Sequence, residues 1–174
     1  MLGERIVEVD SQPAEAAEAL DDPDAREYRA KYQMYWTEFL NKVRLEEKQR
    51  IPKAGTSTNL YFQMPRGSEG WVSAYLAQSK GRAGVYLTFQ RGKVGDELFA
   101  SLEKDKGAID DALGLPVTWE KLADGRQRVI SMKHFSGDLL TDSRTQSQRW
   151  LVDATQRFIS VFRPRIEALL REAM

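Results

Sequence analysis

The chain has 174 residues, 41% hydrophobic and 30% charged, a composition typical of one soluble globular domain and not of a disordered or membrane-spanning chain. Cysteine is absent, which excludes disulfides, thiolate nucleophiles and cysteine-based metal or redox centres. The net charge is zero, but residues 1–27 hold nine acidic and two basic residues, so about −7 lies in this stretch and about +7 in the remainder.

The N-terminal decapeptide is charged where a signal peptide needs an apolar stretch, and no segment has the about eighteen apolar residues of a membrane helix. We therefore expect a cytoplasmic protein that is neither exported nor anchored. Residues 1–27 are interpreted as an acidic leader or linker remnant, and residues 28–174 as a single domain. Within the leader, Arg5 to Val9 alternates apolar and charged residues like a short strand.

The first predicted helix begins near Asp24, which can cap its first turn, and continues to about Arg50. Apolar residues recur there every three or four positions, which is the spacing of one buried helical face. They are Tyr28, Tyr32, Tyr35, Trp36, Phe39, Leu40 and Val43. Pro52 and Gly55 end the pattern.

Three strands are predicted next: Asn59 to Met64, Trp71 to Gln78 and Arg82 to Gln90. A three-residue loop, 79–81, joins the last two strands and pairs Gln78 with Arg82. This register predicts one set of side chains facing the core. The set is Trp71, Tyr75, Val85, Leu87 and Phe89.

A second helix is predicted from Asp96 to Leu113, because Gly114 and Pro116 are typical helix-stop residues. Asp124 and Gly125 then indicate a two-residue hairpin turn between two further strands.

A last long helix begins between Thr141 and Ser143, and Pro164 inside it should kink or split it. The order of elements predicts an α+β fold. We expect an antiparallel sheet of about five strands, including two hairpins, with three long helices packed mainly on one face.

The stretch Leu98 to Trp119 resembles a bacterial and archaeal family known as domain of unknown function 4268, and the likeness covers roughly residues 30–170. It rests on residues typical of that family: Leu98, Phe99, Leu102, Lys106, Ile109, Leu113, Gly114, Trp119, Trp150 and Phe158. Many members follow a predicted restriction-type nuclease domain, so the resemblance implies an accessory role beside nucleic-acid processing. We expect this chain to depart from that arrangement by lacking the nuclease half.

Familiar catalytic patterns find little support in the sequence. Glu46 and Lys48 form a Glu-x-Lys pair such as a restriction-type nuclease needs, but they fall in a predicted helix. His134 is the sole histidine, which excludes multi-histidine metal sites. Dinucleotide, Walker and nucleophile-elbow motifs are absent. We expect no catalytic residue, no metal and no cofactor.

The sharpest site hypothesis concerns the predicted hairpin tip. With Ala123 opposite Arg126, Lys121 faces Arg128, and like charges across a ladder are destabilising unless an anion lies over them. That anion can be a nucleic-acid phosphate or a carboxylate from a neighbouring helix, and the sequence leaves both open. The candidate anion-binding residues are Lys121, Arg126 and Arg128, with Lys106 added through the resemblance.

Three functional hypotheses follow. The first is a non-enzymatic accessory domain that positions DNA or a partner protein for a nuclease or defence system. The second is a protein-interaction or dimerisation module that uses the second face of the sheet, at residues such as Tyr86 and Val72. The third is an unrecognised hydrolase that uses His134. The oligomeric state is left open.

Overall fold

The computed structural model describes residues 23–173, and the predicted leader strand at Arg5 to Val9 lies outside the described residues. The helices are α1 (Pro23–Lys42), α2 (Lys93–Lys104), α3 (Lys106–Leu113) and α4 (Arg144–Glu172). The strands are β1 (Asn59–Gln63), β2 (Gly70–Ala77), β3 (Arg82–Phe89), β4 (Thr118–Lys121) and β5 (Gln127–His134).

The five strands form one antiparallel sheet in the order β1-β2-β3-β5-β4. The chain leaves β3, passes through α2 and α3 to the edge strand β4, and returns through β5 to pair with β3. This architecture confirms the predicted α+β fold with about five antiparallel strands. Three long helices were expected, which is roughly right, since α1 and α4 are long and the middle helix is divided into α2 and α3.

The core lies between one face of the sheet and the helices. Every second residue of the central strands points into it, including Val72 and Ala74 of β2 and Leu87 of β3. Helix α4 supplies Phe158 and Phe162, both fully buried. Helix α4 continues unbroken through Pro164, and Ile166 beyond the proline is also fully buried. Burying such a side chain contributes about 1.5–3 kcal/mol, which favours continuation of the helix over splitting at the proline.

Two helices differ from the prediction in their extent. Helix α1 ends at Lys42 rather than near residue 50. Beyond it, the buried Gln49 donates to the Gln63 carbonyl at 3.0 Å and accepts from Arg163 Nε at 2.8 Å, which ties the chain to β1 and α4. The predicted helix 96–113 is broken at Asp105, whose φ of −103° leaves helical geometry.

The β2–β3 connection is one residue longer than the sequence predicted. A 3₁₀ turn at Gln78–Lys80 is followed by Gly81 in the left-handed region at φ 61°, so Ala77 rather than Gln78 pairs with Arg82. Because side chains alternate between faces, this one-residue difference moves Trp71 and Tyr75 off the core face.

The Tyr75 ring packs directly against Gly84. Gly84 is the cross-strand partner of Tyr75, and a Cβ built on it would overlap that ring. We predict that Gly84→Ala lowers the free energy of unfolding by about 1–3 kcal/mol, because the ring must move. Urea denaturation measures this change.

The matched control is Gly107→Ala in α3, where a Cβ meets nothing within 4 Å. It should raise stability by about 0.4–1 kcal/mol, because it restricts the unfolded chain in a helix-compatible position. Equal effects of the two substitutions would contradict the register and the position of the Tyr75 ring.

Candidate functional site

Contrary to the sequence prediction, the hairpin does not place Lys121 opposite Arg128. The Leu122 amide donates to the Arg126 carbonyl at 2.6 Å and closes a three-residue loop, with Gly125 at φ 91°. The predicted two-residue turn is therefore wrong, and the register shifts by one residue. Lys121 stands opposite Gln127, and Arg128 stands opposite Glu120.

Carboxylates of the hairpin itself pair with two of the four candidate cations. Arg128 Nε donates to Glu120 across the ladder, and Arg126 Nε lies 2.9 Å from Asp124 Oδ2. A hydrogen bond from the Arg126 amide and the charges of Arg126 and Arg91 hold the pKa of Asp124 below its usual value. A carboxylate was one of the two anions that the sequence left open, and here it comes from the hairpin and not from a helix.

The other two candidates lie elsewhere on the surface. Lys121 is exposed at the end of β4, and its neighbour Glu120 points to the opposite face of the sheet. Lys106 is exposed at the first residue of α3, a helix that contacts the hairpin through a 2.8 Å hydrogen bond from Trp119 Nε1 to Asp110. Three of the four residues thus lie on the β4–β5 hairpin, and Lys106 lies on α3.

The second face of the sheet presents a different candidate. We name it the aromatic face, and its main residues are Tyr61, Trp71, Tyr75, Tyr86, Ile130 and Met132. One row across four neighbouring strands consists of Tyr61, Ser73, Tyr86 and Ile130. Tyr86 and Ile130 are buried, yet neither belongs to the core formed with the helices.

The rings of this face are arranged in two pairs. The Tyr61 and Trp71 rings meet nearly at right angles, with centroids 6.5 Å apart, and the Tyr75 and Tyr86 centroids are 5.9 Å apart. The guanidinium of Arg128 lies over the Tyr86 ring at 5.6 Å from its centroid. Arg128 is therefore the candidate cation that belongs to this face.

The aromatic face is packed at its centre and accessible at its sides. Tyr86 and Ile130 are nearly inaccessible, whereas Tyr61 is 39% exposed and Met132 is 38% exposed. Trp71 is half-buried. A ligand can therefore reach the sides of the face without unfolding its centre.

Two hydrogen-bond donors of the aromatic face lack acceptors within the described chain. Trp71 Nε1 and Arg82 Nε are buried, and neither has a hydrogen-bond partner among residues 23–173. Arg82 shares this face because it lies on the same strand as Tyr86, at an even spacing. A buried donor without an acceptor costs about 1–3 kcal/mol, and an acceptor can reach either atom only when the side chains around it move.

The sequence interpretation placed some of these residues wrongly. Tyr86 lies on the second face as expected, but Val72 is a fully buried core residue. Trp71 and Tyr75 lie off the core face, contrary to the prediction, because the β2–β3 turn is one residue longer than the sequence predicts. Side-chain chemistry could have distinguished the two faces of β2. The core residues Val72, Ala74 and Leu76 are aliphatic, whereas Trp71 and Tyr75 carry polar atoms.

The residues that the sequence offered for catalysis lie in a loop and at the end of a strand. No group of three or more His, Asp or Glu side chains within residues 23–173 is arranged to hold a metal ion. Glu46 and Lys48 lie outside any strand, and Lys48 Nζ is 3.1 Å from Glu167. His134 is exposed at the end of β5.

None of the helices in this part of the chain combines the length and apolar character needed to cross a bilayer.

A family model described as "Domain of unknown function (DUF4268)" matches residues 31–166. The match covers well over half of the chain, so the chain belongs to this family, as the resemblance around Leu98 to Trp119 predicted. No curated protein and no solved structure matches the chain.

The hairpin register gives a direct prediction. In a double-mutant cycle, Glu120→Gln and Arg128→Gln should couple by about 0.2–1 kcal/mol, because the pair is partly exposed. The control cycle combines Lys121→Gln with Arg128→Gln and should couple by less than about 0.3 kcal/mol. Chemical denaturation of the single and double variants provides both values. Strong coupling between Lys121 and Arg128, without coupling between Glu120 and Arg128, would contradict the observed register and support the predicted one.

Proposed function

We propose that this member of the DUF4268 family is a recognition domain that binds single-stranded nucleic acid on its aromatic face. The observation that supports this most strongly is the combination of half-exposed rings with two buried donors that have no acceptor in the described chain. The proposed ligand must bring both flat rings and hydrogen-bond acceptors. Nucleobases and phosphates supply these two features together.

The geometry of the face suits unpaired bases. Tyr61 and Trp71 lie on neighbouring antiparallel strands at one side of the sheet, and aromatic residues on adjacent strands are a known platform for stacking. A duplex keeps its base faces stacked on one another, so it cannot use these rings. Stacking contributes about 1–3 kcal/mol per base and tolerates any sequence.

The charges of the domain fit an anionic ligand. Residues 28–174 carry about +7, which raises the local concentration of nucleic acid. Arg128 and Arg82 on the aromatic face are proposed to contact phosphates, while Lys106, Lys121 and Arg126 contribute to the general positive potential. An apolar protein partner would cover the rings but leave Trp71 Nε1 and Arg82 Nε without acceptors.

The family resemblance supplies the proposed context. Many members look like modules that accompany a restriction-type nuclease domain, and we take this role over as part of the proposal. The domain would hold an unpaired strand beside a nuclease or another enzyme of a defence system. It would perform no bond breaking itself.

Substitution of one exposed ring tests the proposal. Tyr61→Ala should weaken binding of a fluorescent oligothymidylate of about 15 nucleotides by about tenfold, because one stacking surface is lost. Fluorescence anisotropy titration at two salt concentrations measures the dissociation constant. Affinity should fall with added salt, because phosphate contacts release counterions.

The matched control is Tyr28→Ala, since Tyr28 is 43% exposed but lies on α1, on the helical side of the sheet. It should leave the affinity unchanged. Equal losses for both variants, tighter binding of duplex than of single strand, or absence of binding would each reject the proposal. Concentration-dependent self-association without oligonucleotide binding would favour the protein-interaction module instead.

A further inference from the structure

We infer that a cleft beside the end of β1 binds a terminal phosphate of the nucleic-acid strand that the aromatic face holds. The source of the phosphate, a strand end, rests on the proposed function. The fit of the cleft to a phosphate group follows independently from its size, its hydrogen-bond donors and its charge.

The cleft lies between the segment that follows α1 and helix α4. Its walls are residues 44–46 on one side and Gln156, Ile159, Ser160 and Arg163 of α4 on the other. Its volume is about 100 Å³. Sites for drug-sized ligands measure about 300–1,000 Å³, so this cleft suits a small group such as a phosphate and is too small for a whole nucleotide. A phosphate inside a continuous strand carries a sugar on each side, so a terminal phosphate fits best.

Hydrogen bonds within the protein fix two donor groups on the walls of the cleft. Arg44 Nη1 donates to the carbonyls of Asn41 and Val43 at 2.8 and 3.1 Å. These bonds hold the guanidinium in place and leave its Nε and Nη2 without a partner in the described chain. The Arg44 amide donates to Gln156 Oε1 at 2.6 Å, so the group that Gln156 offers to a ligand is its Nε2 donor.

Arg163 is the buried cation of the cleft. It is 9% exposed, its Nε donates to Gln49 at 2.8 Å, and its Nη1 lies 3.3 Å from Glu167. Its Nη2 makes no hydrogen bond within residues 23–173. A guanidinium that is held on two sides binds an oxyanion with little further loss of conformational entropy.

The charges around the cleft favour an anion. Arg44, Lys48 and Arg163 carry three positive charges. Glu46 and Glu167 carry two negative charges, so the net charge of these five groups is about +1. Lys48 Nζ lies 3.1 Å from Glu167 and 3.8 Å from Glu46 and partly neutralises both. Guanidiniums on two walls match the three terminal oxygens of a phosphate better than a carboxylate, which a single arginine binds in a bidentate pair.

One side chain connects the cleft to the aromatic face. Arg163 Nε donates to Gln49 Oε1, and Gln49 Nε2 donates to the Gln63 carbonyl at 3.0 Å. Gln63 ends β1 and is the cross-strand partner of Trp71, one of the rings proposed to stack bases. A strand that stacks there and passes round the end of β1 therefore brings its terminal phosphate to the cleft.

The first arm of the experiment compares oligothymidylates of about 15 nucleotides that carry a phosphate at the 5′ end, at the 3′ end or at neither end. A phosphate at one of the two ends should tighten binding to the full chain about tenfold, because it adds charge-assisted hydrogen bonds. Fluorescence anisotropy at constant salt measures the dissociation constants. Arg44→Gln should abolish this gain. The matched control, Arg149→Gln, removes the same charge from an exposed position of α4 and should keep the gain.

A second substitution should act in the opposite direction. Glu46→Gln removes a carboxylate from the wall of the cleft, so it should raise the affinity for the phosphorylated oligonucleotide about threefold. The matched control is Glu47→Gln, since Glu47 is also exposed but does not line the cleft. Equal effects of these two substitutions, or equal losses for Arg44→Gln and Arg149→Gln, would overturn the inference, because net charge alone would then explain them.

The second arm needs no nucleic acid. Inorganic phosphate is titrated into the full chain at constant ionic strength, and the side-chain amide signals of the glutamines are followed by NMR. The Gln156 signal should shift, whereas the signal of Gln146, which is exposed on the same helix, should not. Arg44→Gln should remove the shift. A Gln156 signal that does not respond to phosphate would overturn the inference.

The two arms separate the failure of the inference from that of the proposed function. Oligonucleotide binding that is insensitive to terminal phosphates overturns the inference and leaves the proposed function standing. A phosphate-dependent shift of Gln156 without any oligonucleotide binding rejects the proposed function, and with it the strand end as the source, in favour of free phosphate. A gain from the terminal phosphate that requires Arg44, together with the shift of Gln156, supports both.

Discussion

The turn between β2 and β3 determines which side chains meet the helices. It consists of a 3₁₀ turn and the left-handed Gly81, and it sets Ala77 opposite Arg82. In this register the aliphatic residues of β2 pack against α4, and Trp71 and Tyr75 lie on the other face. A shift by one residue would expose the aliphatic set and bury polar atoms in the core, so the hydrophobic effect and the turn geometry enforce the same pairing.

Polar contacts between α1 and α4 help to keep both helices on one side of the sheet. The Tyr35 hydroxyl is 2.8 Å from Ser147 Oγ in the buried interior, and Glu38 accepts hydrogen bonds from Arg144 and Gln148. Burial alone would raise the pKa of Glu38, but these donors hold it below its usual value. The stabilisation from Glu38 is therefore present at neutral pH and is lost as the pH falls through its folded pKa.

Element types could be predicted from the sequence because periodicity and stop residues are local signals. The strands, the hairpins and the long C-terminal helix follow from alternation, from Gly-containing turns and from the three-to-four-residue spacing of apolar positions. Register could not be predicted in the same way, because Gly81 and Gly125 each fit more than one loop length. Both hairpins were misaligned by one residue, and each error changed the candidate site. In the β4–β5 hairpin, the error placed Lys121 opposite Arg128 and so predicted a like-charge pair. In the β2–β3 hairpin, it assigned Trp71 and Tyr75 to the core, so the aromatic face was not predicted.

The account depends on ligand contact at the aromatic face rather than at the helices or the hairpin tip. Oxidative footprinting with mass spectrometry tests this most directly, because Met132 and Tyr61 on the face have exposed counterparts in Met34 and Tyr28 on α1. Addition of a single-stranded oligonucleotide should protect Met132 and Tyr61 and leave Met34 and Tyr28 as reactive as before. Unchanged reactivity of Met132 and Tyr61 under saturating oligonucleotide, or protection confined to α1, would contradict the account.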